Sequence, residues 1–351
     1  MVLSPAEKGG RLGVALATLP RKNHVATETP MMNQQTLQVL EEGRLSSRRC
    51  MKNCRESRKE PATPTTLLTT RKTLNIGTWN IRTMFESEKT AQVAREMHNY
   101  NLVLLGLCET RWKQSGQLRL TTGEMVLYSG HEESSAPRTE GIALMLTKEA
   151  QKALIGWEAG GPRFITASFS TVRKNIRMNV VQCYAPTNDK SEEAKDEFYN
   201  QLQGILSRLR DQDVNILMGD FNAKIGLDNT GYDEVMGRHG LGEMNENAER
   251  FADACALNNM VIGGSVFLHK RIHKATWVSP DLITENQIDH VCIAKKFRRS
   301  LKNVRVKRGA DVASDHHLVV AKLKLKLRRN EISQQRRRAC YNVVFLREYR
   351  E

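Results

Sequence analysis

Between Leu74 and Leu325 the chain repeats one pattern: an apolar run of strand length, broken off by a polar or acidic residue that a core does not need. Residues 102–108 are the plainest case, a run without a charge that gives way to Glu109 and Thr110. A continuous apolar run of this length reads as a strand buried on both faces. The first such run ends Thr78-Trp79-Asn80, and a central one ends Gly219-Asp220-Phe221-Asn222. A later run opens Ile288-Asp289-His290, and the last is preceded by Ser314-Asp315-His316-His317. Polar groups at the ends of buried strands gather along one rim of a sheet, so the pattern constrains both the fold and the place of its chemistry.

The remaining segments fit that frame. Residues 125–128 and 141–146 predict a hairpin around a polar loop, and residues 164–170 and 176–183 predict a second. Helices are expected from Ser87 to about Met97, from a Ser191 cap to about Arg210 and from Asn247 to Leu257. Glu192 and Glu193 in the first turn of the second helix complement its dipole. About ten strands and three or four helices imply an α/β fold of two packed sheets with helices outside.

Charge divides the chain. Of the net +15, residues 1–72 carry +7 and residues 322–351 carry +7, leaving +1 between them. This predicts a disordered basic arm over 1–72, a folded domain over 73–327 and a basic tail over 328–351. A short helix near residues 34–42 fits the arm. Such a balance favours a polyanionic partner, nucleic acid first, and the arms suit nuclear import.

The seven cysteines are odd in number and scattered, four of them inside apolar runs, which points to free thiols and a reducing compartment. Cys50 and Cys54 lack the second pair that a zinc site needs. No secretory signal and no membrane-spanning run is visible.

Carboxylates at Glu109, Asp220, Asp289 and Asp315 would repel one another on one rim without a positive group among them. Hard oxygen donors without a cysteine cluster favour Mg²⁺. Taken singly, each feature has an ordinary reading: Asp220-Phe221-Asn222 as a turn, Glu109 as a cap, Asp315-His316 as a surface pair. Their order and spacing together carry the signal.

At this point the chain resembles the endonuclease/exonuclease/phosphatase superfamily. The matching stretches are TWNIR (78–82), CETRW (108–112), QCYAPTN (182–188), MGDFNAKIG (218–226), ATWVSP (275–280), NQIDHV (286–291) and SDHH (314–317). Their wording is most similar to the endonuclease domain of RTE-type (bovine-B) non-LTR retroelements. The resemblance implies a DNase I-like four-layer α/β/β/α sandwich of two mixed sheets. It also implies an Mg²⁺-dependent phosphodiesterase, with Mn²⁺ able to substitute, that nicks DNA and leaves 3′-OH and 5′-phosphate ends. RNA is the other nucleic-acid substrate considered.

By the same resemblance Glu109 and Asp315 would ligate the metal with Asn80 beside them. Asp220 would orient or deprotonate the attacking water, and Asn222 would donate to the transition state. His316, held by Asp289, would bind phosphate or act as acid or base. Tyr184 would contact phosphate or assist the leaving group, and Thr276 and Ser314 would lie near the scissile phosphate. His290, His317, Trp79 and Trp112 are assigned to packing, and Trp277 to the neighbourhood of the bound strand.

Two departures stand out. Cys108 occupies a place where many relatives carry Gln, which costs amide hydrogen bonds. Asn286-Gln287 replaces the basic residue usual in abasic-site endonucleases, which favours intact DNA over abasic sites. Against this reading stand a same-fold RNA or phospholipid phosphodiesterase and a non-catalytic DNA- or chromatin-binding factor of retroelement origin. The presence of all five acidic and histidine residues argues for retained catalysis.

Overall fold

The computed structural model describes residues 66–85, 87–133 and 135–327. The predicted arm helix near 34–42 and the basic tail lie outside these residues. Fifteen strands and four α-helices are described, in two large sheets and one small ribbon.

The first sheet holds β1 (Leu74–Asn80), β2 (Leu104–Cys108), β3 (Ser115–Arg119), β4 (Met125–Ser129), β5 (Ile142–Leu146), β14 (Leu301–Lys307) and β15 (Leu318–Leu323). Its strand order is β14-β15-β1-β2-β5-β4-β3. The second holds β6 (Leu154–Ala159), β7 (Phe164–Ser170), β8 (Arg177–Tyr184), β9 (Val214–Asp220), β10 (Met260–Ile262) and β13 (Asp289–Ala294). Its order is β10-β13-β9-β8-β7-β6. A two-residue ribbon pairs β11 (Trp277–Val278) with β12 (Glu285–Asn286). The helices are α1 (Ser87–Asn99), α2 (Lys148–Ala153), α3 (Glu192–Leu206) and α4 (Glu246–Leu257).

Side-chain alternation explains the layers. In β1, Ile76 faces the other sheet while Trp79 faces α1. In β2, Leu104 turns inward while Leu105 and Leu107 turn outward. One core therefore lies between the sheets, with Ile76, Leu104 and Leu144 meeting Val180, Ile216 and Met218. A second lies under α1, through Val93, Ala94 and Met97. A third lies under α3 and α4, through Phe198, Leu202 and Phe251. The result is the predicted four-layer α/β/β/α sandwich.

Helix caps follow the sequence. Ser191 accepts a hydrogen bond from the backbone of Ala194, and Asn245 does the same for Ala248. The α3 helix stops at Leu206, four residues short of Arg210. Core packing also begins before Leu74: Leu67 and Leu68 are fully buried, and Leu67 donates its N–H to the Ser170 carbonyl.

Register places the polar strand ends together. β1 and β2 run parallel with Asn80 opposite Cys108, so Glu109 leaves the sheet beside Asn80. β8 and β9 run parallel with Tyr184 opposite Asp220, and antiparallel β13 begins with Asp289 opposite Asp220. β15 runs antiparallel to β1 and starts just after His317. All of these ends meet at one rim of the sandwich.

Candidate active site

Asn80 sits at the centre of the rim, fully buried. Its Nδ2 donates to Glu109 Oε1 at 2.8 Å and to Asp220 Oδ2 at 2.9 Å, so one amide separates two carboxylates. Its Oδ1 accepts from the Arg82 backbone N–H at 3.0 Å. Arg82 in turn reaches Asp315 Oδ2 at 3.2 Å. Trp277 donates its indole N–H to the same oxygen at 3.0 Å. The sequence placed Trp277 near the bound strand; in the structure it fixes Asp315.

His316 links the other carboxylates. Its Nδ1 lies 2.9 Å from Asp289 Oδ2, and its Nε2 lies 3.8 Å from Asp220 Oδ2. Burial works against a charged imidazole here, but Asp289, Asp220 and Asp315 outweigh it and raise its pKa to about 9. Burial is also the largest influence on Asp220, reinforced by Asp289, and raises its carboxyl to about 7. A protonated His316 donates from Nδ1 to Asp289 and faces Asp220 with Nε2 as a positive group, beyond hydrogen-bond distance. Asp220, Asp289 and His316 do place ligand atoms within 4.8 Å of one another. Within this cluster His316 is hydrogen-bonded to Asp289 and stands 3.8 Å from Asp220, an arrangement that suits acid–base chemistry.

The oxygen-rich side of the rim suits a hard cation. Asp315 Oδ1 is buried and has no hydrogen-bond partner among the described residues, an orphan that a cation would satisfy. Glu109 Oε2 is 3.9 Å from the Arg111 guanidinium, too long for a close pair. Glu109 and Asp315 offer the hard oxygen donors that suit a hard divalent cation, and the Asn80 amide nitrogen bonds Glu109 beside them.

The backbone is strained at this rim. Arg82, Glu109, Arg111 and Asn222 all adopt left-handed φ between 49° and 58°. Asn accepts that region readily; Arg and Glu each give up about 1 kcal/mol or more. The strand ends turn sharply enough to aim Glu109 at Asn80. Strain of this kind collects where geometry is set by function.

Other expected residues are placed as follows. Tyr184 is half-buried under the Arg163 guanidinium, 5.3 Å from its ring centroid. Burial, then Glu109 and Asp220, pushes its phenol well above the ordinary range, so it stays protonated. Asn222 uses its Nδ2 on the Ala185 carbonyl at 3.0 Å. The Thr276 hydroxyl accepts the backbone N–H groups of Ile288 and Asp289, and so positions Asp289. Ser314 donates to the Asn80 carbonyl at 2.7 Å and accepts from the His316 N–H. Thr276 and Ser314 thus brace the site through the backbone. His290 is buried, donates Nε2–H to the Ala223 carbonyl at 2.7 Å and packs on Phe251. Burial lowers its pKa to about 4. Trp79 is fully buried and Trp112 packs edge-on against Tyr128.

Sequence reasoning missed Arg82, Arg111 and Gln182. The two arginines stand inside quoted motifs, each two residues past a named ligand. Gln182 answers the Cys108 departure. Its Nε2 donates to Thr78 Oγ1 at 2.9 Å and to Cys108 Sγ at 3.2 Å, so an amide from the facing sheet lies beside that thiol. Gly106 makes room for it, since a Cβ there would stand 1.9 Å from Gln182 Oε1.

Comparison with known proteins agrees with this fold. A family model described as the Endonuclease/Exonuclease/phosphatase family matches residues 77–316. Craniofacial development protein 2 of Tragulus javanicus is 35% identical over 253 residues, 72% of this chain and 42% of the relative. Its Bos taurus counterpart is 34% identical over 253 residues, 72% of this chain and 41% of the relative. The chain therefore spans less than half the length of these relatives. Among solved structures, the AP endonuclease LMAP from Leishmania major superposes with a TM-score of 0.54 at 12% identity, covering 84% of this chain and 100% of its own. The endonuclease domain of TRAS1, a telomere-specific non-LTR retrotransposon, gives 0.50 at 14% identity, covering 73% and 100%. The 3′ phosphatase NExo from Neisseria, bound to a product DNA hairpin, gives 0.51 at 16% identity, covering 72% and 100%. At these identities the structures share the fold.

Proposed function

The chain belongs to the endonuclease/exonuclease/phosphatase family, and from that premise we propose that it is an Mg²⁺-dependent, DNA-nicking phosphodiesterase of retroelement origin. The observation that carries the proposal is the rim itself: His316 held between Asp289 and Asp220, with Asn80 joining Asp220 to Glu109. Glu109, Asp315 and Asn80 would hold the metal, which when bound neutralises charge on the phosphate and on the leaving oxygen. Mn²⁺ would serve in its place.

Asp220 orients the attacking water and takes its proton, a task suited to a carboxyl whose pKa is raised toward neutrality. The new P–O bond forms in line as the bond to the 3′ oxygen breaks. His316, kept cationic by Asp289, donates from Nε2 to a non-bridging phosphate oxygen. Tyr184, kept protonated, donates to the phosphate or to the departing oxygen. Asn222 and Arg82 border the same space. The products carry 3′-OH and 5′-phosphate ends.

Nucleic acid is the substrate class that the basic balance of the chain supports. The hairpin that carries Trp277 adds to this, because its base bonds the Asp315 carbonyl through the Val278 N–H and its tip exposes Leu282 and Ile283. Apolar tips of this kind fit between stacked bases. We place the protein in the nucleus, where its substrate lies and where the basic arms would direct it. Extension of the cut DNA by a polymerase without prior phosphatase treatment tests the end chemistry. Ends that a polymerase cannot extend would rule out this cleavage direction.

A further inference from the structure

Charge in the folded part is not spread evenly. Residues 73–269 hold 20 Lys/Arg against 25 Asp/Glu, whereas residues 270–327 hold 14 against 5. The near-neutral middle of the sequence is therefore an acidic body joined to a strongly basic flank, and the fold gives that flank a definite surface.

The surface is the outer face of the first sheet at its β14–β15 border. Along β15 and just past its end the inward residues Val319, Ala321, Leu323 and Leu325 enter the inter-sheet core. The outward residues change character. Leu318 and Val320 pack in the core beneath α1, and Lys322, Lys324 and Lys326 follow at the same period of two. On β14, Lys307 and Arg305 stand opposite Leu318 and Val320 and face the same way. Lys302 completes the group, and the nearby charges of Lys326 and Lys324, after burial, lower its pKa. Lys307 is lowered in the same manner by burial, Arg305 and Lys322.

Among the described residues none of these six cations forms an ion pair with a carboxylate. Arg305 is spent on the His273 ring and Lys302 on the Arg299 carbonyl. Packed like charges on neighbouring strands destabilise a sheet. Protection of an exposed edge accounts for charges on β14, which is the outermost strand. It does not account for Lys322, which lies on β15 between two paired strands, nor for Lys324 and Lys326 just past the end of β15, where the backbone N–H groups of residues 324–326 bond Ser300 and Thr69 on either side.

The stripe is continuous with the candidate active site. It begins beside Leu318, two residues after His316, and runs away from the rim along β15 to Lys322 and on through Lys324 and Lys326 past the strand's end. Its lysines recur about every 6.7 Å, close to two base-pair rises along the axis of a DNA duplex. We propose that the Lys307 and Lys322–Lys324–Lys326 stripe is an accessory phosphate-binding track that holds the arm of the nucleic-acid substrate leaving the cleavage site. This rests on the nuclease reading for the identity of the partner, and adds the path the partner takes.

The test compares the full chain with a Lys322→Gln/Lys324→Gln/Lys326→Gln variant and with a control variant, Lys152→Gln/Arg173→Gln/Lys174→Gln, of equal charge change. Binding to a duplex of about 12 base pairs and one of about 40 base pairs is measured in EDTA across a salt series, with thermal melting as the check on folding. The track predicts that the stripe variant loses about tenfold or more in affinity for the long duplex and little for the short one. Its salt slope on the long duplex should fall by about 2 to 3, near 0.9 for each phosphate that is no longer neutralised. The control should behave as wild type.

Equal losses on both duplexes, equal losses in both variants, or no loss would overturn the track. So would stripe-dependent binding to phosphatidylserine vesicles without any effect on DNA, which would assign the surface to a membrane. Nicking of the short duplex with Mg²⁺ separates this inference from the nuclease reading. Stripe-dependent binding without nicking would sink the enzyme and keep the track; nicking without stripe dependence would do the reverse.

Discussion

Asp289 Oδ2 lies 2.9 Å from His316 Nδ1, and the Asp289 backbone is itself pinned by the Thr276 hydroxyl. The imidazole is thus held from behind, with its other nitrogen turned toward Asp220. Asp289→Asn keeps the shape and removes the charge that fixes the ring as a donor. Turnover on DNA should fall about 10²–10⁴-fold with little change in DNA affinity. Activity within a few-fold of wild type would remove Asp289 from the positioning role.

Acid–base linkage gives a second expectation for the metal-free protein. His316 is raised from 6.5 to about 9 in the fold. A raised folded pKa means a stabilising contribution that is complete below 6.5 and disappears as pH rises through about 9. Asp220, raised from 3.8 to about 7, acts in the same direction at lower pH. In EDTA the melting-temperature advantage of wild type over His316→Gln should therefore shrink between pH 6.5 and 9. An advantage that stays constant across this window would contradict the paired imidazolium.

Much of this was legible in the sequence, for a physical reason. β1, β2, β9, β13 and β15 are buried, so their apolar runs are nearly unbroken and their polar ends stand out. The edge strands were not legible. β3, Ser115–Arg119, alternates exposed and half-exposed residues, and β6, Leu154–Ala159, has no buried residue at all. Nothing in their composition separates them from loops; only pairing with β4 and β7 makes them strands. The supporting contacts of the site were hidden for another reason. Arg82 to Asp315, Trp277 to Asp315 and Gln182 to Cys108 each join residues far apart in the chain, and one sequence carries no record of such pairs.

Asn80 makes the metal testable apart from catalysis. Its amide separates Glu109 from Asp220. Asn80→Asp puts a third carboxylate there, and like charges in a buried site disfavour the fold. The variant should melt several degrees lower than wild type in EDTA, and Mg²⁺ should raise its melting temperature more than it raises that of wild type. An EDTA melting temperature equal to wild type would contradict the described contacts.

Gln182 should matter for stability. Gln182→Leu removes the partner of Thr78 and should cost about 1–3 kcal/mol in urea unfolding. Gly106→Ala, which drives a methyl into Gln182, should cost about 1–3 kcal/mol by overpacking. Neutral effects at both positions would mean that the amide contributes nothing between the sheets.

The central claim is that this rim hydrolyses phosphodiesters in DNA. Its most direct test is the conversion of supercoiled plasmid to open circle in Mg²⁺, with wild type beside Asp220→Ala and His316→Ala. The account predicts nicking by wild type, its loss in EDTA, and a fall of at least about 10²-fold in each variant. A folded wild-type protein that shifts the plasmid in a gel yet leaves it supercoiled would contradict the claim and make the site inherited architecture in a DNA-binding protein.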